Sequence, residues 1–223
     1  MNSTLRSSPL SGRPAPVVLA VAGLCAGLEI VFTLADLAGY TDIRRTAIIY
    51  GAFWPQLLTG HWGAVFPGQR ASMFLTYAVL HGGFLHMLFN MLIMLHLGRE
   101  TVIRLGQAGF LLILALSAVG GAAGFALLNG GQAPMLGASG AVFGLFGTTI
   151  YWDVQRRRAV GAALTEPLKL TAGLVVMNVV LWLMAGGMLA WEAHLGGFVT
   201  GVILGRVVTP TLFHRHRNRS RRH

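Results

Sequence analysis

Charge is scarce in this sequence. Lys, Arg, Asp and Glu make up only 11% of its 223 residues while 54% are apolar, too little polar surface to coat a water-soluble globule. Acidic residues are the scarcer kind, 7 against 17 Lys and Arg. No carboxylate stands at metal-ligand spacing from a histidine and H-E-x-x-H is missing, so neither a metal nor a cofactor is expected. With one cysteine, Cys25, no intrachain disulfide can form; its place in the first apolar run reads as a small buried apolar residue. Around Ser139 the second glycine of a G-x-S-x-G elbow is absent, as are flanking alternating strands, which excludes a soluble hydrolase fold.

What the sequence does have is a series of apolar runs, at about 17–39, 84–98, 106–128, 138–152, 168–188 and 191–213. A helix rises about 1.5 Å per residue and needs roughly 20 residues to cross about 30 Å of hydrocarbon. The runs therefore predict an all-α, polytopic membrane protein with six transmembrane helices. The organisation follows: a short N-terminal segment 1–16, one domain over 17–213, and a basic tail 214–223. Arg6 and Arg13 before the first run resemble a signal peptide, but the run continues to Leu37 without a small-residue cleavage site, so an uncleaved span is expected. A long first loop, about 40–72, carries Tyr50, Trp54, Trp62 and Phe66 and is expected to lie in the membrane interface.

Basic residues order the topology. With both termini cytoplasmic, fourteen of the 17 Lys and Arg fall on the cytoplasmic side, and only Arg44, Arg45 and Arg70 on the other. The basic tail follows a span directly and has no interleaved aromatics, so it points to anionic lipid headgroups and not to nucleic acid. In this topology the second, fourth and sixth helices run in the same direction. Their outer ends carry His86 and Asn90, Ser139, and His194, which are expected at similar depth. His86 and Asn90, four residues apart, share a helix face.

Glycines suggest how Ser139 and His194 meet. Gly140 and Gly144 form one stripe, and Gly197, Gly201 and Gly205 another below His194; small-residue stripes permit close backbone packing. Either stripe alone would be an ordinary packing seam. Together with direction and depth they predict that the serine hydroxyl and the imidazole meet. Serine is a weak nucleophile unless a base lies within hydrogen-bond reach, which makes Ser139 the candidate nucleophile and His194 the candidate general base. Glu192 is expected to face the outer surface, so no third acidic partner is assigned. Phe143, one turn after Ser139, is a candidate to stack on the imidazole, or equally an ordinary core residue. The Ser139 backbone amide, His86 and Asn90 are candidate donors to an oxyanion.

These motifs resemble the rhomboid family of intramembrane serine proteases. The resemblance rests on His81-x4-His86-x3-Asn90, Gly137-x-Ser139-Gly140-x3-Gly144 and Ala193-His194-x2-Gly197-x3-Gly201, in order over nearly the whole chain. It implies a six-helix bundle in a membrane, by family habit the bacterial inner (plasma) membrane. It also implies a Ser139–His194 dyad, an oxyanion hole at His86 and Asn90, a structural His81, and transmembrane proteins as substrates. There are departures. The Trp-Arg pair of many members falls here on Ser72 and Met73, with Arg70, Trp54 or Trp62 as candidate substitutes, and the second loop, Leu97-Gly98-Arg99-Glu100, keeps the family's glycine turn at Gly98 with its acidic residue displaced.

A competing class is a non-proteolytic membrane protein. A client-binding scaffold would be expected to have lost Ser139 or His194, and both are present. A small proton-linked transporter would use Glu29, a carboxylate within the first span, with the histidines, but the internal repeats and paired broken helices of such transporters are not seen.

Overall fold

The computed structural model describes residues 15–129 and 133–208. The segment 1–14 with Arg6 and Arg13, and the tail 214–223, lie outside the described residues. Helix α1 (Pro16–Leu37) starts on a proline, whose fixed φ and missing N–H suit a first helical turn. The first loop is largely helical: α2 (Thr41–Gly51), α3 (Pro55–Thr59), α4 (Gln69–Thr76) and a 3-10 turn, Tyr77–Val79. These pieces are short and only weakly apolar, so no long run betrays them.

Helix α5 (Phe84–Leu128) has 45 residues. Straight, it would be about 68 Å long, more than twice a bilayer core. It breaks at Gly106, whose φ of 78° and ψ of 177° are non-helical and suit only a residue without Cβ. The two arms, 84–105 and 107–128, correspond to the second and third apolar runs. The turn expected at Gly98 is not there. Gly98 is helical and packs its bare face on Phe110 and Val18, with Phe110 Cε2 only 2.8 Å from where a Cβ would sit.

Helices α6 (Ser139–Ala159), α7 (Thr165–Met184) and α8 (Trp191–Val207) complete the bundle. Among the described residues, α1, α5 and α7 are long and apolar enough to cross a membrane by length and composition. Of the other two, α8 has 17 residues, and α6 carries Arg156, Arg157 and Arg158 in its last turn. Helix α6 is the most buried of the bundle and does not need a fully apolar surface, whereas α8 turns Leu195, Val199, Ile203 and Val207 outward.

Backbone approach sets the centre. A Cβ on Gly197 would collide with the Gly140 carbonyl, and one on Gly201 with the Gly144 carbonyl. Further down, Thr148 Oγ1 donates to the Gly201 carbonyl at 2.8 Å and Trp152 Nε1 to the Gly205 carbonyl at 3.0 Å. The pairs ascend together along both helices, so α6 and α8 run parallel. The second arm of α5 packs antiparallel to both: Gly121 faces Gly140 while Ser117 faces Gly144, and Gly120 and Gly124 abut Gly196. By contrast α7 stands at the edge, with only Pro167 and Leu174 buried.

The first loop is tied to this centre. Phe53 and Met135 exchange two backbone hydrogen bonds of 2.9 Å, and Tyr77 donates its hydroxyl to the Ala118 carbonyl at 2.8 Å. Within the loop, Gln69 accepts from the Val65 amide at 2.7 Å and donates to the Ile49 carbonyl at 2.8 Å. Trp54 donates to the Ile48 carbonyl at 3.1 Å and packs against Trp62. Of the three substitutes considered for the Trp-Arg pair, Trp54 and Trp62 thus meet each other, whereas Arg70 is exposed.

Candidate active site

Ser139 is the first residue of α6, reached through Gly137, whose φ of 124° favours glycine. A Cβ there would also clash. It would lie 2.6 Å from Cε1 of His86, so the glycine makes room for that ring. As the opening residues of a helix, Ser139, Gly140 and Ala141 have amides with no acceptor four residues back, while Val142 already donates to the Ala138 carbonyl at 3.0 Å. The Ser139 amide is therefore a donor at the positive end of the α6 dipole.

His194 occupies the fourth position of α8 and is buried. Three residues on, Gly197 rests on Gly140, the neighbour of Ser139. Ser139 and His194 therefore stand near the same level of two parallel helices in backbone contact. Phe143 lies flat against the His194 imidazole, with centroids 4.3 Å apart and planes inclined by 4°. The other imidazole nitrogen environment is supplied from α7, where Asn178 Oδ1 lies 2.5 Å from His194 Nδ1.

On α5, His86 and Asn90 share a face as expected. Asn90 is buried and donates from Nδ2 to the His86 carbonyl at 2.9 Å, one of the two hydrogens that amide carries. His86 is exposed at the opening of the helix, and its ring meets His81 edge-on at 5.2 Å. His81 is buried in the segment before α5, where its Nε2 accepts from the Ala138 amide at 3.4 Å. Burial first, and the neighbouring His86 second, hold the His81 pKa down at about 4, which keeps it neutral and able to accept.

Two acidic residues differ from expectation. Glu192 does not face outward: it is buried, and Asn129 Nδ2 donates to its Oε1 at 2.9 Å. The reason is local. Its helix packs on the glycines of α5, which draws the first turn of α8 inward, where a carboxylate is favoured by the helix dipole. Glu29, 1% exposed, is held by both Arg44 terminal nitrogens at 3.0 Å and by Thr33. Asp36 accepts from Arg44 Nε at 2.6 Å, and the guanidinium also reaches the His81 carbonyl. These partners push the Arg44 pKa up, the Glu29 hydrogen bond most. A carboxylate clamped in this way is part of the scaffold that holds the first loop, and the observation behind the transporter reading disappears.

Sequence reasoning missed Asn178, although an amide in the middle of an apolar helix was a signal available to it. It also missed the glycines 120, 121 and 124, which look like ordinary small residues until a second and third helix close on them.

At one end of this helical membrane bundle thus stand a serine that opens α6, a buried histidine on the parallel α8 and the amide donors of the α6 start and Asn90. The model of the Rhomboid domain matches residues 68–211. YdcA of Bacillus subtilis (strain 168), which carries a rhomboid protease name, is 31% identical over 151 residues, 68% of this chain and 73% of the relative. RHOMBOID-like protein 4 of Arabidopsis thaliana is 34% identical over 149 residues, 65% of this chain and 36% of the relative. Rhomboid protease GlpG of Serratia proteamaculans (strain 568) is 29% identical over 201 residues, 87% of this chain and 63% of the relative. The chain thus spans less than two thirds of the length of the last two. This chain belongs to the rhomboid family, whose members include intramembrane serine proteases, and it is an integral membrane protein.

Proposed function

We propose that the chain is an intramembrane serine endopeptidase that cleaves transmembrane proteins in or near their spans, with Ser139 as nucleophile and His194 as general base. The observation that carries this reading is the contact of Gly140 with Gly197, which sets the two side chains at one level, with the imidazole stacked on Phe143. Ser139 Oγ attacks the scissile carbonyl carbon while His194 takes its proton. The oxyanion that forms accepts from the Ser139 amide, from the second hydrogen of Asn90 Nδ2 and from His86. Collapse breaks the C–N bond, and the imidazolium returns its proton to the leaving amine. Water, admitted on the side where His86 is exposed, then hydrolyses the acyl-serine with the same histidine as base. Gly137, Gly144 and Gly201 act by close packing, and His81 by supporting the strand of backbone before Ser139.

The domain is taken as 17–213, in a bacterial inner membrane with both termini cytoplasmic and the basic tail on anionic lipid. The bias of Arg and Lys supports that orientation. Purified protein incubated with a panel of single-span substrates, beside Ser139→Ala, is the test. Cleavage by the wild type that is lost in the variant, with a fluorophosphonate probe labelling Ser139 only in the wild type, is expected. Equal cleavage by the variant would overturn the assignment.

A further inference from the structure

His194 has two ring nitrogens, and a general base can accept only on the one that carries no proton. In the neutral ring the two tautomers differ little in energy, so something outside the ring must select one. Asn178 is in position to do so. Its Oδ1 lies 2.5 Å from His194 Nδ1, while its Nδ2 donates to the Leu174 carbonyl one turn earlier on α7 at 2.9 Å. The second bond fixes the orientation of the amide. With the NH2 end committed to a carbonyl, which only accepts, the oxygen end faces the imidazole, and an amide oxygen only accepts. Nδ1 must then carry the hydrogen.

The surroundings sharpen the selection. Asn178, His194 and Phe143 line a cavity of about 560 Å³ between α7 and the α6–α8 pair, whose other walls include Trp182, Trp191 and Phe198. In such an apolar space an unsatisfied amide oxygen or ring N–H loses the full stabilisation of a hydrogen bond, so the wrong tautomer is penalised on both partners. The nearest acidic residue in the sequence, Glu192, is engaged elsewhere through Oε1, with Asn129, and the His194 Nδ1 contact goes to Asn178. Helix α7 has only two buried residues, so this bond also links a loosely held helix to the centre of the site.

We infer that Asn178 is a positioning residue that holds His194 in the Nδ1–H tautomer and leaves Nε2 free to accept the proton of Ser139. The inference rests on the protease reading. Asn178 completes the orienting role that an acidic or amide residue plays behind the histidine of other serine and cysteine hydrolases, here delivered from a separate helix. Removing a bond that merely docked α7 would leave turnover per folded molecule unchanged; removing a positioning bond would not.

The test uses the full-length protein in detergent micelles, with Asn178→Leu, which keeps the shape and removes the acceptor, and Asn178→Asp, which keeps an acceptor. For a cleavable single-span substrate, Asn178→Leu is expected to lower kcat per folded molecule by about tenfold to a hundredfold, with KM within about twofold of wild type and the thermal midpoint lowered only modestly, by the one lost hydrogen bond. Fluorophosphonate labelling of Ser139 should slow in parallel, and Asn178→Asp should restore most of both rates. In ¹⁵N-histidine spectra, His194 should be protonated on Nδ1 in wild type and mixed in Asn178→Leu. Wild-type turnover by Asn178→Leu would overturn the inference. So would an Nε2–H tautomer in wild type, or activity that falls equally in both variants in step with the folded fraction. A wild type that neither cleaves nor labels would instead overturn the protease reading, and the spectra would still decide the hydrogen bond.

Discussion

The ring of Phe143 and the imidazole of His194 lie parallel, centroids 4.3 Å apart and planes inclined by 4°. Phe143 is four residues after Ser139, one helical turn, so the residue that stacks on the candidate base stands on the same helix face as the candidate nucleophile. The parallel course of α6 and α8 makes this possible.

That stack should be measurable. A ring pair of this kind contributes about 0.5–1.5 kcal/mol beyond burial, so Phe143→Leu is expected to lower turnover roughly twofold to tenfold while the protein stays folded. Phe143→Tyr keeps the ring and should stay near wild type. Equal rates for Leu and Phe at this position would make Phe143 an ordinary core residue.

Backbone contact between α6 and α8 leaves no room for a side chain. Gly201→Val places branched carbon against the Gly144 carbonyl, and Gly144→Val collides with Ser117. Overpacking of this kind costs about 1–3 kcal/mol or more, and both variants should unfold at lower temperature and cleave more slowly. Gly186, outside both stripes, is a poor control because its φ of 59° strains any residue with a Cβ. Gly173→Ala is the better one: no neighbour lies within 4 Å of its would-be Cβ, and alanine in a helix should hold or raise the midpoint. A lowered midpoint for Gly173→Ala comparable with that of Gly201→Val would remove the packing argument.

Arg44 and Glu29 form a bidentate pair with Glu29 fully covered. Removing one member strands the other, so Arg44→Leu should destabilise by about 3–5 kcal/mol. Replacing both together, Arg44→Leu with Glu29→Leu, should recover much of that loss, because two apolar side chains in the same space need no partner. Thermal unfolding of the two singles and the double gives the coupling. Additive losses would mean the pair does not act as a unit.

Acid should loosen the segment ahead of Ser139. His81 is held neutral by burial, with its pKa down from 6.5 to about 4, so between these values the unfolded chain binds more protons than the folded one. Stability then rises with pH through this window and falls as pH drops from about 6.5 towards 4. In His81→Asn that part of the slope should disappear. An unaltered slope in unfolding experiments across pH 4–7 would show that His81 does not carry it.

Much of this arrangement was legible in the chain. Six apolar runs give six long helical segments, because length and hydropathy alone define a helix in lipid. The paired glycine stripes gave the α6–α8 seam, since backbone approach requires residues without side chains. Elsewhere the sequence was silent for physical reasons. The helix break is at Gly106 and not at Gly98, and only the packing of Val18 and Phe110 tells the two glycines apart. The first-loop helices are too short for a periodic signal. Glu192 and Asn178 are read wrongly or passed over because their partners, Asn129 and His194, lie on other helices and are invisible in a linear pattern.

The oxyanion role of Asn90 and His86 can be separated from a structural one. Asn90 Nδ2 already donates to the His86 carbonyl, a bond that would hold the first turns of α5 together whether or not any substrate binds. If its second hydrogen stabilises the oxyanion, Asn90→Ala should reduce kcat on the order of tenfold to a thousandfold with a smaller effect on KM, because that contact strengthens only as the carbonyl becomes an alkoxide. Asn90→Asp removes both donors while nearly preserving shape, and should be no better. His86→Ala is expected to follow, though more mildly, because an exposed imidazole is partly replaced by water. If the pair is only structural, the variants lose thermal stability and the surviving folded protein turns over normally. Cleavage rate per folded molecule, read beside the unfolding midpoint of each variant, separates the two: a normal rate in Asn90→Ala would remove it from the reaction, and a lowered rate at an unchanged midpoint would place its amide on the oxyanion.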